Sequence, residues 1–168
     1  NNKKLPIFHK FNTKIDIKIK KTYINDIDYI NNLSGYLNFK NNKINNLKLS
    51  SIFSNNKKIN LTINTNEALE KETKLFTDYP KPLIKRYDFI KGFEGGYLNF
   101  NSVKKDNISN SILTISNFKI QEAPILAKLL SLASLQGIAD ILTGEGIRFT
   151  DLELQFSKQK NLTIIEEM

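Results

Sequence analysis

IDIKIK, residues 15–20, sets Ile15, Ile17 and Ile19 on one side of an extended chain and Asp16, Lys18 and Lys20 on the other. Side chains two apart on a strand point the same way, so this stretch makes one apolar and one wet face. A helix would scatter the same residues around its circumference; only period two sorts them. KINLTIN (Lys58 to Asn64) repeats the arrangement with Ile59, Leu61 and Ile63. Shorter passages follow it too: Leu37 with Phe39, Leu47 with Leu49, Leu98 with Phe100, and Leu152 with Leu154 and Phe156. Between them lie polar runs suited to tight turns, NNK (Asn41 to Lys43), SNNKK (Ser54 to Lys58) and KKDN (Lys104 to Asn107). The pattern predicts a mainly β protein: an antiparallel meander sheet, curved or groove-like, made of repeating hairpin units.

GYLNF occurs twice, at Gly35 to Phe39 and at Gly96 to Phe100. Each copy reads as the start of a strand, with two inward apolar residues and a polar one between them. A glycine there marks a bulge or a close backbone approach. Each copy is followed by a second alternating strand, NNLKLSSIF (Asn45 to Phe53) and NSILTISNF (Asn110 to Phe118). Two strand-rich repeat units are therefore expected, 1–79 and 80–168.

Two helical segments are expected within the second unit. PKPLIKRYDFIKG (Pro80 to Gly92) predicts a short helix over 80–91, with proline near its start, glycine past its end, and Leu83, Ile84 and Tyr87 on one side. The leucine-rich run from Ala123 to Gly146 predicts helices over 123–142. Pro124 suits the first turn, Gly137 marks a break and Gly144 a stop. Lys128, Gln136 and Asp140 make membrane insertion of this run unfavourable, so it is expected to lie on the open face of the sheet.

The composition narrows the function. With 168 residues, 40% hydrophobic and 25% charged, the chain can bury a core. It has no cysteine, hence no disulfide, thiolate metal site or cysteine nucleophile. The formal net charge is +8, yet Arg86 and Arg148 are its only arginines and the lysines are dispersed, so nucleic acid is not expected as a partner. His9 is the single histidine and sits in the irregular start IFHKF. GFEGG (Gly92 to Gly96) and GEG (Gly144 to Gly146) precede strands rather than helices, which does not suit a phosphate cradle. Glu94 and Glu145 read as solvated loop charges rather than a catalytic pair. No catalytic residue, metal ligand or cofactor site is expected.

From Phe76 to Phe156 the sequence resembles the C-terminal region of AsmA-like proteins of the YhdP type found in alphaproteobacteria. The matching elements, in order, are Gly95, Gly96 and Leu98, then Asn117-Phe118, Ala123-Pro124, the run LAKLLSLASLQGI, and LTGEGIRF (Leu142 to Phe149), which contains Gly146. Earlier residues match only in strand texture and in the GYLNF echo. The resemblance implies a large envelope protein held in the inner membrane by an N-terminal anchor absent from this chain. Its stacked sheet units would project through the periplasm as a bridge-like lipid carrier. It implies no catalytic group or cofactor; the partners are phospholipid acyl chains and neighbouring repeats of the same chain. The chain opens at Asn1 without methionine and lacks the family's downstream portion, so a fragment of a longer protein is expected.

The residue pattern agrees with that expectation at one point. Eight or nine strands at about 4.8 Å give a sheet roughly 40 Å across, more than two modest helices can cover. The candidate lipid-lining residues are the alternating apolar ones: Ile15, Ile17 and Ile19; Leu37 and Phe39; Leu47 and Leu49; Ile59, Leu61 and Ile63; Leu98 and Phe100; Leu152 and Leu154. The alternative function is a non-enzymatic scaffold for outer-membrane biogenesis, acting through its exposed sheet edges.

Overall fold

The computed structural model describes residues 12–86, 90–121, 146–160 and 162–167. These form nine strands: β1 (Thr13–Tyr23), β2 (Tyr29–Lys40), β3 (Lys43–Phe53), β4 (Lys58–Thr65), β5 (Lys71–Thr77), β6 (Phe93–Lys105), β7 (Ile108–Ile120), β8 (Ile147–Gln159) and β9 (Leu162–Glu167). They make a single sheet in which spatial order equals chain order, every neighbour antiparallel. The meander read from the alternation is thus the architecture. The sheet also runs without interruption across residues 79 and 80, because β5 pairs with β6 from Lys71↔Lys104 to Thr77↔Leu98.

The turns follow from their residues. Asn41 and Asn42 both have positive φ, 51° and 62°, the geometry whose twist matches that of the strands they join. Asparagine tolerates this region because its short amide bonds locally. At the β4–β5 turn, Asn66 Oδ1 accepts from the Glu70 amide at 2.9 Å.

The glycine of each GYLNF does one job in both copies. A β-carbon at Gly35 would overlap the Lys48 carbonyl oxygen, and one at Gly96 would come within 2.7 Å of the Ser116 carbonyl oxygen. The following strand therefore passes close to each glycine's backbone. The two copies face the same side but sit at different levels. Leu37 pairs with Leu47 and, through Ile63 and Thr73, aligns with Ser102, four residues beyond Leu98 on β6.

Left-handed residues meet on two neighbouring strands at the second copy. Gly95 and Gly96 both have φ of 73°, beside Asn117 at 53° on β7. Left-handed residues interrupt the alternation, so Phe93, Phe118 and Ile120 turn to the same side as Leu98 and Ile115. With Ile84 and Ile147 these form the buried core. The Phe118 ring stacks on Phe93 at 5.3 Å and on Phe149 at 5.0 Å between centroids.

The helix expected over 80–91 is shorter. It is α1 (Lys81–Arg86), and residues 90–92 form a bend and turn instead. Gly92, at φ 66°, has already left helical geometry, and its carbonyl accepts from the Gln121 amide at 2.9 Å. Ile84 is buried in the core, while Arg86 reaches the Ile24 carbonyl at 2.9 Å. The leucine-rich segment 123–142, with Pro124, Gly137 and Gly144, lies outside the described residues, as do Tyr87 and His9. Gly146 is described: it is buried at φ 82° immediately before β8, where a β-carbon would come within 2.7 Å of the Ile120 carbonyl oxygen. Among the described residues no helix is long and apolar enough to cross a membrane.

Candidate functional site

Strand register places every candidate lining residue on one face. Cross-strand partners share a face, and so do residues two apart. Ile15 pairs with Leu37, Leu37 with Leu47, and Leu47 with Ile63; this outer row then passes through Thr73, Ser102 and Ser111 to Phe156. The middle row runs Ile17, Gly35, Leu49, Leu61, Leu75, Phe100, Leu113, Leu154 across eight consecutive strands. The deep row, nearest α1, holds Ile59, Thr77, Leu98, Ile115 and Leu152. Ile19 opposite Leu33, and Phe39 opposite Thr13, complete the same face on β1 and β2.

Coverage varies along that face. Leu98 and Leu47 are buried at 6% and 8% exposure, whereas Ile15 and Ile19 on the edge strand are 44% and 45% exposed. The others are half-buried. Leu98 belongs both to the core and to the wall of a pocket. That pocket, about 350 Å³, opens between α1 and strands β5 to β7. Its lining is apolar throughout: Leu83 and Ile84 from α1, Leu75, Leu98 and Phe100 from β5 and β6, and Leu113 and Ile115 from β7.

Leu75, Leu83 and Leu113 were not among the expected lining residues. Leu113 carries the ordinary signal, alternating with Ile115 in NSILTIS. Leu75 is flanked at the same parity by Thr73 and Thr77, which hides β5 from an apolar-periodicity reading.

Beyond the outer row the face changes character. Thr65 pairs with Lys71, Lys71 with Lys104, Lys104 with Ser109, and Ser109 with Lys158. From β5 to β8 the apolar side of the sheet therefore ends in three ammonium groups with a serine among them. Just inside these the Ser111 hydroxyl donates to the Ser102 hydroxyl at 2.9 Å. Burial, and then the nearby charges of Lys104 and Lys43, push the Lys71 ammonium below its ordinary value. Of the carboxylates in the turns at this end, Glu70 is taken by Lys105 at 3.0 Å, and Asp106 also acts on Lys105. Among the described residues no carboxylate lies in ion-pair range of Lys71, Lys104 or Lys158.

The opposite face is mainly polar, with Asp16, Lys18, Lys48, Thr62, Lys74 and Glu153 at its register positions. A second concavity, about 520 Å³, lies at the bend, bordered by Glu94, Lys119, Arg148 and Thr150. Its Glu94 carboxylate is held by Lys81 at 3.4 Å, Lys119 at 3.7 Å and the Gln121 amide at 3.2 Å. Glu94 is thus part of an ion-pair network; Glu145 lies outside the described residues. Among the described residues no three His, Cys, Asp or Glu side chains come together as a metal site.

Compared with family models, with curated proteins and with solved structures, the chain matches none.

Proposed function

We propose that this chain is a segment of a lipid-carrying β-groove that conducts phospholipid between the inner and outer membranes, without catalysis. The observation that carries the reading is the middle row: apolar side chains at register from Ile17 to Leu154, with only Gly35 between them lacking a side chain, ending beside an all-apolar pocket. Among the described residues this strip is only half-buried, and a soluble monomer seldom exposes apolar surface of that length. An acyl chain is a fitting cover, since each methylene removed from water is worth about 0.8 kcal/mol. Movement along such a lining needs no acid, base or metal, only continuity. The resemblance of residues 76–156 to AsmA-like proteins of the YhdP type supports the same reading. With it comes the placement: the periplasmic part of an inner-membrane-anchored protein, its sheet continued by neighbouring repeats.

Photo-crosslinking tests this. A photoreactive residue at Leu61 or Phe100 should capture phospholipid in cells, and one at Lys18, on the opposite face, should not. Equal capture at all three positions, or none at Leu61 and Phe100, overturns the groove.

A second reading, an envelope scaffold, draws on the sheet edges. Among the described residues β1 and β9 each pair on one side only, and β9 exposes Leu162, Ile164 and Ile165. Unprotected edges of this kind recruit further strands. Under the scaffold reading, edge substitutions abolish function while a charge at Phe100 does not; under the groove reading the order is reversed.

A further inference from the structure

From β5 to β8 the face that carries the apolar rows does not end apolar; it ends in lysines and a serine, and the sequence of rows is graded. Passing along β6 from α1 outward, one face presents Leu98, Phe100, Ser102 and Lys104. Along β7 the same levels are Ile115, Leu113, Ser111 and Ser109. The order is therefore apolar, apolar, hydroxyl, cation or hydroxyl. At about 3.3 Å per residue, the lysine level lies roughly 13 Å from the Phe100 level and 20 Å from the Leu98 level.

We infer that Lys71 and Lys104, with Ser109 and Lys158 beside them, hold the phosphate of an anionic phospholipid whose acyl chain lies in the pocket against Phe100. The inference rests on the groove reading and specifies its cargo. Three observations carry it. First, the grading matches a long-chain amphiphile lying along the strands: tail at the two apolar levels, ester region at the hydroxyl level, charge at the lysine level. Second, the cations are uncompensated. Glu70 is engaged by Lys105, and no other described carboxylate reaches Lys71, Lys104 or Lys158. Third, the lysines oppose one another. Lys71 and Lys104 are direct cross-strand partners, and like charges so placed repel. Partial burial and that repulsion disfavour the charge on Lys71, and the opposite charge of a phosphate between the two ammonium groups offsets both.

The test compares phosphatidylglycerol and phosphatidylcholine carrying the same pyrene-labelled chains, taken up by the purified full chain from vesicles of otherwise identical composition. Wild type should favour phosphatidylglycerol, and Lys71→Gln/Lys104→Gln should abolish that preference by weakening phosphatidylglycerol uptake about tenfold and uptake of phosphatidylcholine, whose choline already balances its phosphate, far less. Lys71→Arg/Lys104→Arg should retain the preference, and Lys158→Gln should reduce it about threefold. Equal uptake of both lipids by wild type, unaffected by the double variant, overturns the headgroup assignment and leaves the groove standing. Uptake of neither lipid removes the groove and this inference together. Displacement of the labelled lipid by polyglutamate as readily as by unlabelled phosphatidylglycerol shows the lysines serving an acidic protein partner, and also overturns it.

Discussion

Arg86 Nη1 donates to the Ile24 carbonyl at 2.9 Å, tying the end of α1 to the β1–β2 loop although the two are 62 residues apart. The sheet order sets β2 to β5 between β1 and β6, so this contact bridges the helix end of the apolar face across those four strands. Arg86→Ala should cost only about 1 kcal/mol, because the group is exposed. Its signature is local: amide hydrogen exchange in residues 24–28 should quicken while that in β6 and β7 stays unchanged.

Adjacent glycines give a sharper contrast. A β-carbon at Gly96 meets the Ser116 carbonyl oxygen at 2.7 Å and Phe118 Cβ at 2.9 Å, whereas at Gly95 the nearest atom is 3.6 Å away. Both have positive φ, so each alanine bears backbone strain, but only one also collides. Chemical denaturation should show Gly95→Ala losing about 1 kcal/mol and Gly96→Ala about 3 kcal/mol.

Leu69 is 80% exposed and held at φ 60°, a conformation that costs a leucine about 1–2 kcal/mol; its amide closes the turn on the Asn66 carbonyl at 3.0 Å, a bond any residue would keep. Asparagine already occupies this region at Asn41, Asn42 and Asn56. Leu69→Asn should stabilise the protein by about 1 kcal/mol, read as a higher midpoint in urea.

Core and lining positions should separate in stability. Ile115 is fully buried, so Ile115→Ala should cost about 2–5 kcal/mol, through lost contacts and the cavity left behind. Ile15, on the same face but 44% exposed, should cost less than about 1 kcal/mol as alanine. If Ile15→Ala impairs lipid capture while leaving the unfolding midpoint in place, the edge of the face works as surface rather than as core.

The acid side of the stability profile should depend on Glu70. Hydrogen bonds from Lys105, then Asn66, and the Lys105 charge hold its carboxyl below the ordinary value of 4.5. A carboxyl with a lowered folded-state value contributes stability that is present above its unfolded value and lost as pH falls through the depressed one. Wild type should therefore lose thermal stability more steeply than Glu70→Gln on acidification below 4.5, and added salt should shrink the difference, since the pair is exposed.

The strands with strict alternation, such as Ile15 to Ile19 and Ile59 to Ile63, were legible because an apolar side chain at every second position leaves a direct trace in the sequence, whether it ends up half-buried or exposed. Two strands leave a weaker trace. β5 has one aliphatic residue, Leu75, between threonines, and β9 places Ile164 and Ile165 side by side. The glycine of GYLNF was readable as a close approach, but the level of each copy was not. Phe39 stands one residue before its strand's end and Phe100 five before its own, and turn position sets the register. The helix was overextended because residues 80–91 keep a helical texture although Gly92 and its neighbours already belong to a turn. The lysine row was hidden for another reason. Lys71, Lys104 and Lys158 lie far apart in the chain, and only strand pairing assembles them.

Spatial order identical to chain order has a consequence for biosynthesis. A polypeptide emerging N-terminus first never has to hold a strand in reserve for a partner still to be made; each arrival completes a hairpin with its immediate predecessor. Assembly then advances like a closing zip, with the newest strand always at the front. Such a front accepts whatever extended segment comes next without disturbing what is already in place, so the architecture lengthens by addition rather than by redesign.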